Sequence, residues 1–291
     1  MRRLCSGPAW LRHGLAVLFA AFAAGTSVAQ ERVSFPSLDG AGRAPVVLTA
    51  LWFAAAPSPS PAPAPAIALF HGCGGAFDRR GVLSRRMVEY AALFNRAGFH
   101  ALVVDSLTPR YETELCTQKA GSRRVTQANR RLDAIGAVAY LAERSDVDPQ
   151  RIGLVGWSNG GSTVLAATNR RHRDVAGAAL QPAFAVAFYP GCEFELRRGY
   201  EAVAPLLLLL GEADDWTPAA PCRNLARAAV GVAPELESYP GAHHGFDSDQ
   251  PVRLRKDVPN GARPGHGVHV GGQPAAWRAS QERLLKFLAA H

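Results

Sequence analysis

The sequence predicts an α/β fold in which a mostly parallel central sheet is covered by helices on both faces. Three short segments, residues 152–155, 185–189 and 206–210, are apolar from end to end. Such strands are typical of a parallel sheet that is buried on both faces, whereas a half-exposed strand alternates apolar and polar residues. Segments with helical spacing of apolar residues lie between the strand-like ones, and this alternation of strands and helices is typical of the α/β class.

Each element follows from a local pattern. A Pro/Ala/Ser stretch over residues 54–65 separates the first two strands, because repeated prolines neither pair in a sheet nor continue a helix. Gly98 ends the first helical pattern. Residues 251–274, rich in Gly, Pro and basic residues, are predicted as a long loop, either functional or a plain surface excursion. The predicted strands are 46–53, 66–70, 100–105, 152–155, 185–189, 206–210 and 236–239, and the predicted helices are 86–97, 126–143, 160–169 and 277–290.

The first 29 residues have the features of an export signal. Three arginines flank the start of an apolar run at residues 15–24, and small residues stand at the −3 and −1 positions before Gln30. The apolar run is about half of the ~20 residues that a membrane-spanning helix needs, so cleavage is favoured over a membrane anchor. We therefore predict a signal peptide over residues 1–29, a single domain over residues 30–291, and a periplasmic or secreted protein.

Charge and composition argue against several classes of function. The net charge is +8 at pH 7, and loss of the three arginines of the predicted signal lowers it to +5, which indicates a mildly basic surface. The sequence has no basic run with interleaved aromatic residues, so nucleic-acid binding is not predicted. The cysteines lack a CxxC or other zinc-type spacing, so no metal site is predicted. The sequence contains no indication of its oligomeric state.

The sharpest functional signal is the sequence Gly-Trp-Ser-Asn-Gly-Gly at residues 156–161, which contains the pattern G-x-S-x-G. A predicted strand precedes it and a predicted helix of small residues follows it. This is the setting of a nucleophile elbow, where the serine takes a strained backbone conformation between strand and helix. The helix N-terminus also favours negative charge that develops there. The pattern occurs by chance in glycine-rich turns, but this placement favours Ser158 as a nucleophile.

A serine hydroxyl is a weak nucleophile unless a base accepts its proton. His243 and His244 both follow the last predicted strand, where a loop can bring an imidazole back over the serine. We predict His244 as the base, because it begins the sequence His-Gly-Phe at residues 244–246. His243 is the alternative, and it is then a neighbouring loop residue.

The base needs a carboxylate that fixes its tautomer and stabilises the imidazolium. Asp214 and Asp215 both lie just past the strand at residues 206–210 and before the histidine loop. We predict Asp214 as the acid, with Asp215 as a helix-start or loop carboxylate. The chain order is serine, aspartate, histidine, which is the order found in α/β-hydrolases and differs from that of chymotrypsin and subtilisin.

An oxyanion that forms during acyl transfer needs backbone N–H donors. One donor is predicted on Asn159, the residue after the nucleophile. The other is predicted on Cys73, in the sequence His-Gly-Cys-Gly-Gly at residues 71–75 that follows an early strand. His71 is interpreted as a structural histidine that shapes this loop.

Six stretches carry a resemblance to a known family: LFHGCGG at 69–75, VVDSLTPR at 103–110, GLVGWSNGG at 153–161, FYPGC at 188–192, GEADDWTPAAPC at 211–222 and YPGAHHGFD at 239–247. They resemble the dienelactone hydrolase family of α/β-hydrolases and cover nearly all of the chain after the predicted signal. The resemblance implies the α/β-hydrolase fold and hydrolytic activity on a small-molecule ester. Acyl transfer through the predicted triad requires no metal or organic cofactor. One departure matters: Ser158 stands where the founding members have a nucleophilic cysteine. This favours a general carboxylic-ester hydrolase over opening of the dienelactone ring itself.

The implied fold also suggests how the cysteines pair. Four cysteines follow the predicted signal, and an even number in an exported protein indicates two disulfides with three alternative pairings. In this fold all four follow strands at the same edge of the sheet. We predict the pairs Cys73–Cys116 and Cys192–Cys222.

The substrate pocket is predicted from residues beside the motifs, and three other functions remain as alternatives. The pocket candidates are Trp157, Trp216, Arg110 and Tyr111. Core packing is an equally good interpretation of the three aromatic residues. A surface salt bridge is the alternative for Arg110. Arg110 would offer a two-pronged donor to a carboxylate. A serine peptidase of the same fold ranks lower because no added domain selects peptides. A non-catalytic binding protein ranks lower because all three residue types are present. Hydrolysis of an extracellular polyester rests only on the short pattern G-W-S-x-G-G.

Overall fold

The computed structural model describes residue 1 and residues 30–40, 44–56 and 62–291. The predicted signal peptide lies outside the described residues, apart from residue 1, so it stays a prediction. Part of the Pro/Ala/Ser stretch, residues 57–61, also lies outside them.

An eight-stranded sheet runs through the described chain. The strands β3 to β8 are parallel to one another, whereas β2 runs antiparallel to both of its neighbours, β1 and β4. The order across the sheet is β1-β2-β4-β3-β5-β6-β7-β8. The bounds are β1 (Gln30–Pro36), β2 (Val47–Phe53), β3 (Ala64–Phe70), β4 (His100–Asp105), β5 (Val147–Trp157), β6 (Phe184–Phe188), β7 (Leu206–Gly211) and β8 (Glu235–Tyr239).

Helices cover both faces of this sheet, which confirms the predicted fold class. Their bounds are α1 (Arg85–Arg96), α2 (Gln127–Ala142), α3 (Asn159–Ala167), α4 (Arg173–Ala176), α5 (Glu193–Arg198), α6 (Ala219–Ala228) and α7 (Pro274–Ala289). The apolar sides of α1 and α7 pack on one face, with Tyr90, Phe94 and Phe287 fully or almost fully buried. The apolar sides of α2, α3 and α6 pack on the other face. The strands are apolar throughout because both of their faces are covered.

Several features were not anticipated from the sequence. Strand β1 lies at an edge with most of its residues exposed, and it is held by its pairing with β2 and by the burial of Phe35 in the core. Helix α5 has only six residues, and α6 buries only three of its ten. The stretch 251–274, predicted as a loop, contains a small antiparallel ribbon of β9 (Arg253–Arg255) and β10 (Val268–Val270).

The parallel strands bring the motif-bearing loops together. Strands β3, β5, β7 and β8 run in one direction, so the loops that follow them lie at the same edge of the sheet. This carboxyl edge is where open α/β sheets bind their ligands. His71, Ser158, Asp214 and His244 all lie in or beside these loops.

Candidate active site

Ser158 occupies a sharp turn between the end of β5 and the start of α3. Its backbone has φ +54° and ψ −116°, which is a strained conformation for any residue other than glycine. The strain is held by packing on both sides. A Cβ at Gly156 would lie 2.2 Å from the carbonyl oxygen of Gly160, and a Cβ at Gly160 would lie 1.9 Å from that of Phe70. The two glycines of the motif are therefore required by backbone contacts.

His244 reaches the serine from the loop after β8. Its Nε2 lies 2.8 Å from Ser158 Oγ, and the side chain is almost fully buried. The backbone of His244 forms a bridge with Val270 of β10, and its carbonyl accepts a hydrogen bond from the N–H of Gly271. The imidazole also packs against the rings of Tyr189 and Trp216, with centroids 4.7 and 4.6 Å away. The unanticipated ribbon thus supports the histidine.

Asp214 holds the other side of the imidazole. Its Oδ2 lies 2.8 Å from His244 Nδ1, and its Oδ1 accepts hydrogen bonds from the backbone N–H groups of Trp216 and Thr217, both at 2.8 Å. A carboxylate can only accept, so Nδ1 carries the proton and Nε2 presents its lone pair to the serine hydroxyl. Ser158, His244 and Asp214 therefore form one hydrogen-bonded chain.

The two competing residues have other partners. His243 Nδ1 donates to the carbonyl oxygen of Ala213 at 2.9 Å, and its ring packs on that of His269. Asp215 accepts two hydrogen bonds at 2.7 Å from His269, one from the backbone N–H and one from Nδ1. The pair Asp215–His269 fastens the ribbon to the loop after β7 rather than joining the Ser158 chain.

The loop after β3 passes beside the serine. A Cβ added at Gly72 would lie 3.6 Å from Ser158 Cβ. His71 is fully buried, and burial first of all, with the charge of Arg130, holds its pKa well below the usual value. Its Nδ1–H donates to the carbonyl of Gly72 at 2.7 Å, while Nε2 accepts from the N–H of Ser106 at 3.3 Å. A neutral histidine thus orients the peptide whose other end is the N–H of Cys73.

Both predicted disulfides are present. Cys73 and Cys116 are joined with sulfur atoms 2.08 Å apart, and Cys192 and Cys222 with sulfur atoms 1.97 Å apart. The first bond fixes Cys73 itself, and the carbonyl of Cys73 also accepts a hydrogen bond from Leu115 at 2.7 Å. The loop that carries the predicted oxyanion donor is therefore attached to its neighbour by a covalent bond and a hydrogen bond.

Two cavities meet at Ser158. The larger, of about 400 Å³, extends over Gly72, Tyr189 and His244 towards the ribbon. The smaller, of about 280 Å³, extends over Asn159, Ser162 and Phe194. Cys73, Ser158 and Trp216 line both cavities. Volumes of this order suit small-molecule ligands. A bound molecule can thus extend to either side of the serine.

The structure places the four predicted pocket residues differently from one another. Trp216 forms the wall shared by the two cavities. Trp157 borders the larger cavity, but it is 1% exposed and its ring packs among Tyr90 and Phe188 in the core.

The other two predicted pocket residues lie outside both cavities, and their assignment to the pocket is corrected. The guanidinium of Arg110 binds the carboxylates of Asp133 and Asp39, so it forms the salt bridge that the sequence offered as the alternative. Tyr111 is 93% exposed.

Several residues of the site were not anticipated. The hydroxyl of Thr217 donates to Asp214 Oδ2 at 3.0 Å. This contact could have been predicted, because a threonine three residues after an aspartate is well placed for a local side-chain hydrogen bond. Tyr189 has φ +37° and donates to Asp247 at 2.6 Å, and Asp247 also pairs with Arg86 beside the larger cavity. Arg123 lines the smaller cavity. Tyr189 and Asp247 fall within two of the stretches that resemble the family, at 188–192 and 239–247. Their roles, and those of Arg86 and Arg123, were not predicted, because they depend on contacts between distant segments.

Comparison with known proteins places this chain in a family. A model of the dienelactone hydrolase family matches residues 53–291. The chain belongs to the dienelactone hydrolase family. It is accordingly a hydrolase that acts on ester bonds. None of the curated proteins matches the chain.

Solved structures share the fold of this dienelactone hydrolase family member at low identity. Esterase 2 of Thermogutta terrifontis phosphorylated by paraoxon is 18% identical, with a TM-score of 0.61 over 89% of this chain and 94% of that one. The same esterase with bound propionate is 19% identical, with a TM-score of 0.60 over 89% and 93%. A proposed dienelactone hydrolase from Klebsiella pneumoniae is 16% identical, with a TM-score of 0.60 over 90% and 100%. At these identities the likeness establishes the fold alone.

The described part of this dienelactone hydrolase family member contains neither a membrane-spanning helix nor a cluster of metal-binding side chains. No helix among the described residues is long and apolar enough to cross a membrane. No group of three or more histidine, cysteine or acidic side chains within those residues is arranged to hold a metal ion.

The Cys73–Cys116 bond leads to a prediction about this family member. The double variant Cys73→Ser/Cys116→Ser is expected to lose about 2–5 kcal/mol of stability and also about 10-fold in kcat, because the loop beside Ser158 loses its covalent anchor. Thermal unfolding and ester turnover measure the two effects. The matched control, Cys192→Ser/Cys222→Ser, should lose comparable stability with a smaller change in kcat. Equal losses of kcat in both double variants would contradict a special role for the first bond.

Proposed function

We propose that the protein is an exported carboxylic-ester hydrolase in which Ser158, His244 and Asp214 form the catalytic triad. The proposal rests on one observation: Ser158 Oγ, on a strained strand-to-helix turn, lies 2.8 Å from His244 Nε2, whose Nδ1 lies 2.8 Å from Asp214. These are hydrogen-bond distances between a nucleophile, a base and the group that orients the base.

Acylation of the serine is the first half of the proposed reaction. His244 Nε2 accepts the hydroxyl proton of Ser158 while Oγ forms a bond to the ester carbonyl carbon. The carbonyl oxygen becomes an oxyanion, which accepts hydrogen bonds from the backbone N–H groups of Cys73 and Asn159. The C–O bond to the alcohol then breaks, and His244 returns the proton to the departing alcohol oxygen. The product is an acyl-enzyme, with Asp214 ionised throughout.

Deacylation repeats the same steps with water. His244 accepts a proton from a water molecule as its oxygen attacks the acyl carbon, and the same two N–H groups hold the second oxyanion. The bond to Ser158 Oγ breaks, the serine regains its proton from His244, and the carboxylic acid leaves. No metal or organic cofactor enters either half of the proposed reaction.

The two cavities support small esters as substrates. A substrate whose carbonyl carbon lies at Ser158 has its acyl part in one cavity and its alcohol part in the other, and cavities of about 400 and 280 Å³ accommodate short chains or single rings. Solved structures of Thermogutta terrifontis esterase 2 contain propionate or butyrate. This is consistent with short acyl groups for a chain of the same fold.

Export is part of the proposal. The basic and apolar segments before Gln30 have the order of a secretory signal. Structural disulfides such as these two form and persist in oxidising compartments, for example the periplasm or the cell exterior. Fusion of residues 1–29 to a reporter that is active only outside the cytoplasm tests this part separately from catalysis.

Labelling and turnover test the proposed chemistry. A fluorophosphonate probe is expected to label residues 30–291 at Ser158, as mapped by peptide mass spectrometry, and short p-nitrophenyl esters should be hydrolysed. Ser158→Ala should lose the label and fall to background turnover while its thermal unfolding stays close to that of the wild type. If the probe labels Ser158 but no ester is cleaved, the proposed substrate class is wrong. If folded protein is neither labelled nor active, the chain is a non-catalytic binding protein.

A further inference from the structure

Arg130 is a fully buried arginine in α2, and it lies directly behind the site. Its side chain lines neither of the two cavities at Ser158. A guanidinium is costly to bury, so a wholly buried one normally has several partners. The partners of Arg130 both lie in the two segments that carry the proposed oxyanion donors.

The guanidinium joins the two segments that carry the proposed oxyanion donors. Its Nη1 donates to the side-chain oxygen Oδ1 of Asn159, whose own backbone N–H is one donor. Its Nη2 donates to the carbonyl oxygen of His71 at 2.8 Å, and His71 in turn orients the Gly72–Cys73 peptide that carries the other donor. A second residue of α2, Gln127, donates to the backbone carbonyl of Asn159 at 3.1 Å. One helix thus fixes the spacing of both segments.

The charge of Arg130 is not neutralised by a direct ion pair. Among the residues that the structure describes, no carboxylate forms a salt bridge with it. Asp133, one turn along on the same helix, is engaged by Arg110 and by the hydroxyl of Ser37. Asp105 accepts the backbone N–H groups of Leu107 and Thr108.

The cost of burying this charge appears in the pKa of Arg130. Burial lowers it to about 10, with the attraction of Asp133 acting in the opposite direction. The group is therefore still protonated at neutral pH. Its positive charge, which has no direct ion-pair partner among the described residues, lies behind the place where an oxyanion would form, in a region that excludes water and screens charge weakly.

We propose that Arg130 is a positioning residue for the oxyanion hole, holding the Cys73 and Asn159 N–H donors at a fixed separation and placing positive charge behind them. It touches neither substrate nor reacting atoms. Donors fixed in advance need no reorganisation as the oxyanion forms, so the effect is on the transition state and not on substrate binding. The proposal rests on the proposed ester hydrolysis at Ser158.

Three variants test this role, with one control on the same helix. Arg130→Lys keeps the charge but cannot reach both partners with two parallel N–H groups. Arg130→Gln removes the charge. Asn159→Ala removes one end of the connection, leaves the backbone donor in place, and changes a side chain that is not fully buried. Arg131→Gln is the matched control, since the adjacent Arg131 binds Asp174, away from the site.

The readouts separate positioning from general stability. Active sites are counted by complete fluorophosphonate labelling, and kcat, KM and the inhibition constant of phenylboronic acid are measured per labelled site. Phenylboronic acid forms a tetrahedral adduct with a serine oxygen, so its affinity reports on the oxyanion hole. We expect kcat to fall about 10-fold in Arg130→Lys and Asn159→Ala and about 100-fold in Arg130→Gln. The boronate inhibition constant should rise in parallel, with KM changed by less than about 3-fold and Arg131→Gln unaffected.

The outcomes distinguish this inference from the proposed function. If the wild type hydrolyses esters and the variants keep kcat and boronate affinity per labelled site, Arg130 serves stability alone and the inference is overturned. If both Arg130 variants fail to fold, Asn159→Ala decides: a parallel loss of kcat and boronate affinity supports the inference, and wild-type values overturn it. If the wild type itself is neither labelled nor active, the proposed function and this inference both fall.

Discussion

Replacing His244 with alanine is expected to lower kcat on short p-nitrophenyl esters by on the order of 10⁵- to 10⁶-fold. The imidazole is the only group within hydrogen-bond distance of Ser158 Oγ among the described residues, at 2.8 Å. Without it no side chain accepts the serine proton, and the residual rate comes from the oxyanion donors and binding alone. Turnover is measured per folded protein, with thermal unfolding as the check on the fold.

The neighbouring histidine provides the matched control. His243→Ala removes an imidazole of the same loop that donates to the carbonyl of Ala213 and not to the serine. We expect this variant to lose less than about 10-fold in kcat, with a modest loss of stability from one hydrogen bond. Comparable losses in the two variants, or a larger loss in His243→Ala, would show that the assignment of the base is wrong.

The second large effect is on folding. A methyl group at Gly160 would lie 1.9 Å from the carbonyl oxygen of Phe70 and 2.6 Å from that of His71, both backbone atoms at the end of β3. A backbone held in the middle of the sheet cannot retreat by the ångström or more that is required. We therefore expect Gly160→Ala to cost about 4 kcal/mol or more and to lower the melting temperature by roughly 10 °C, or to prevent soluble expression.

Gly121→Ala is the comparison for this substitution. Gly121 has open space where its Cβ would stand, and its φ lies outside the left-handed region. This variant should melt within about 2 °C of the wild type. The expectation for Gly160 fails if both variants express and melt alike.

Local backbone constraints explain why part of the site was readable from the sequence. Gly156 is required by contacts within the strand-turn-helix unit and Gly160 by the backbone of the neighbouring strand β3, so the pattern around Ser158 reflects its structural context. The disulfides were readable for a different reason. The fold implied by the family resemblance places all four cysteines at one edge of the sheet and suggested the pairs Cys73–Cys116 and Cys192–Cys222.

Other features depend on contacts that no local pattern records. The backbone bridge from His244 to Val270 supports the position of His244, and not His243, beside Ser158. Val270 lies in a segment that the sequence predicts as a loop. Arg110 follows a strand at the right edge, but its side chain turns to Asp133 on α2. A charged residue such as Arg130 is expected at the surface, and only the packing of α2 against α3 and β3 shows that it is buried.

The two disulfides lie on the same side of the molecule. Cys73 and Cys116 follow β3 and β4, while Cys192 and Cys222 follow β6 and β7, all at the carboxyl edge. The bonds close loops of 43 and 30 residues. In the chain-entropy model each bond raises the free energy of the unfolded state by roughly 3–4 kcal/mol, because it restricts the unfolded chain. Ordering the long loops that form a site normally costs conformational entropy. The two bonds lower the entropy of the unfolded chain on the side that carries Ser158, so their formation favours the ordered loops of the site before a substrate contributes any binding energy.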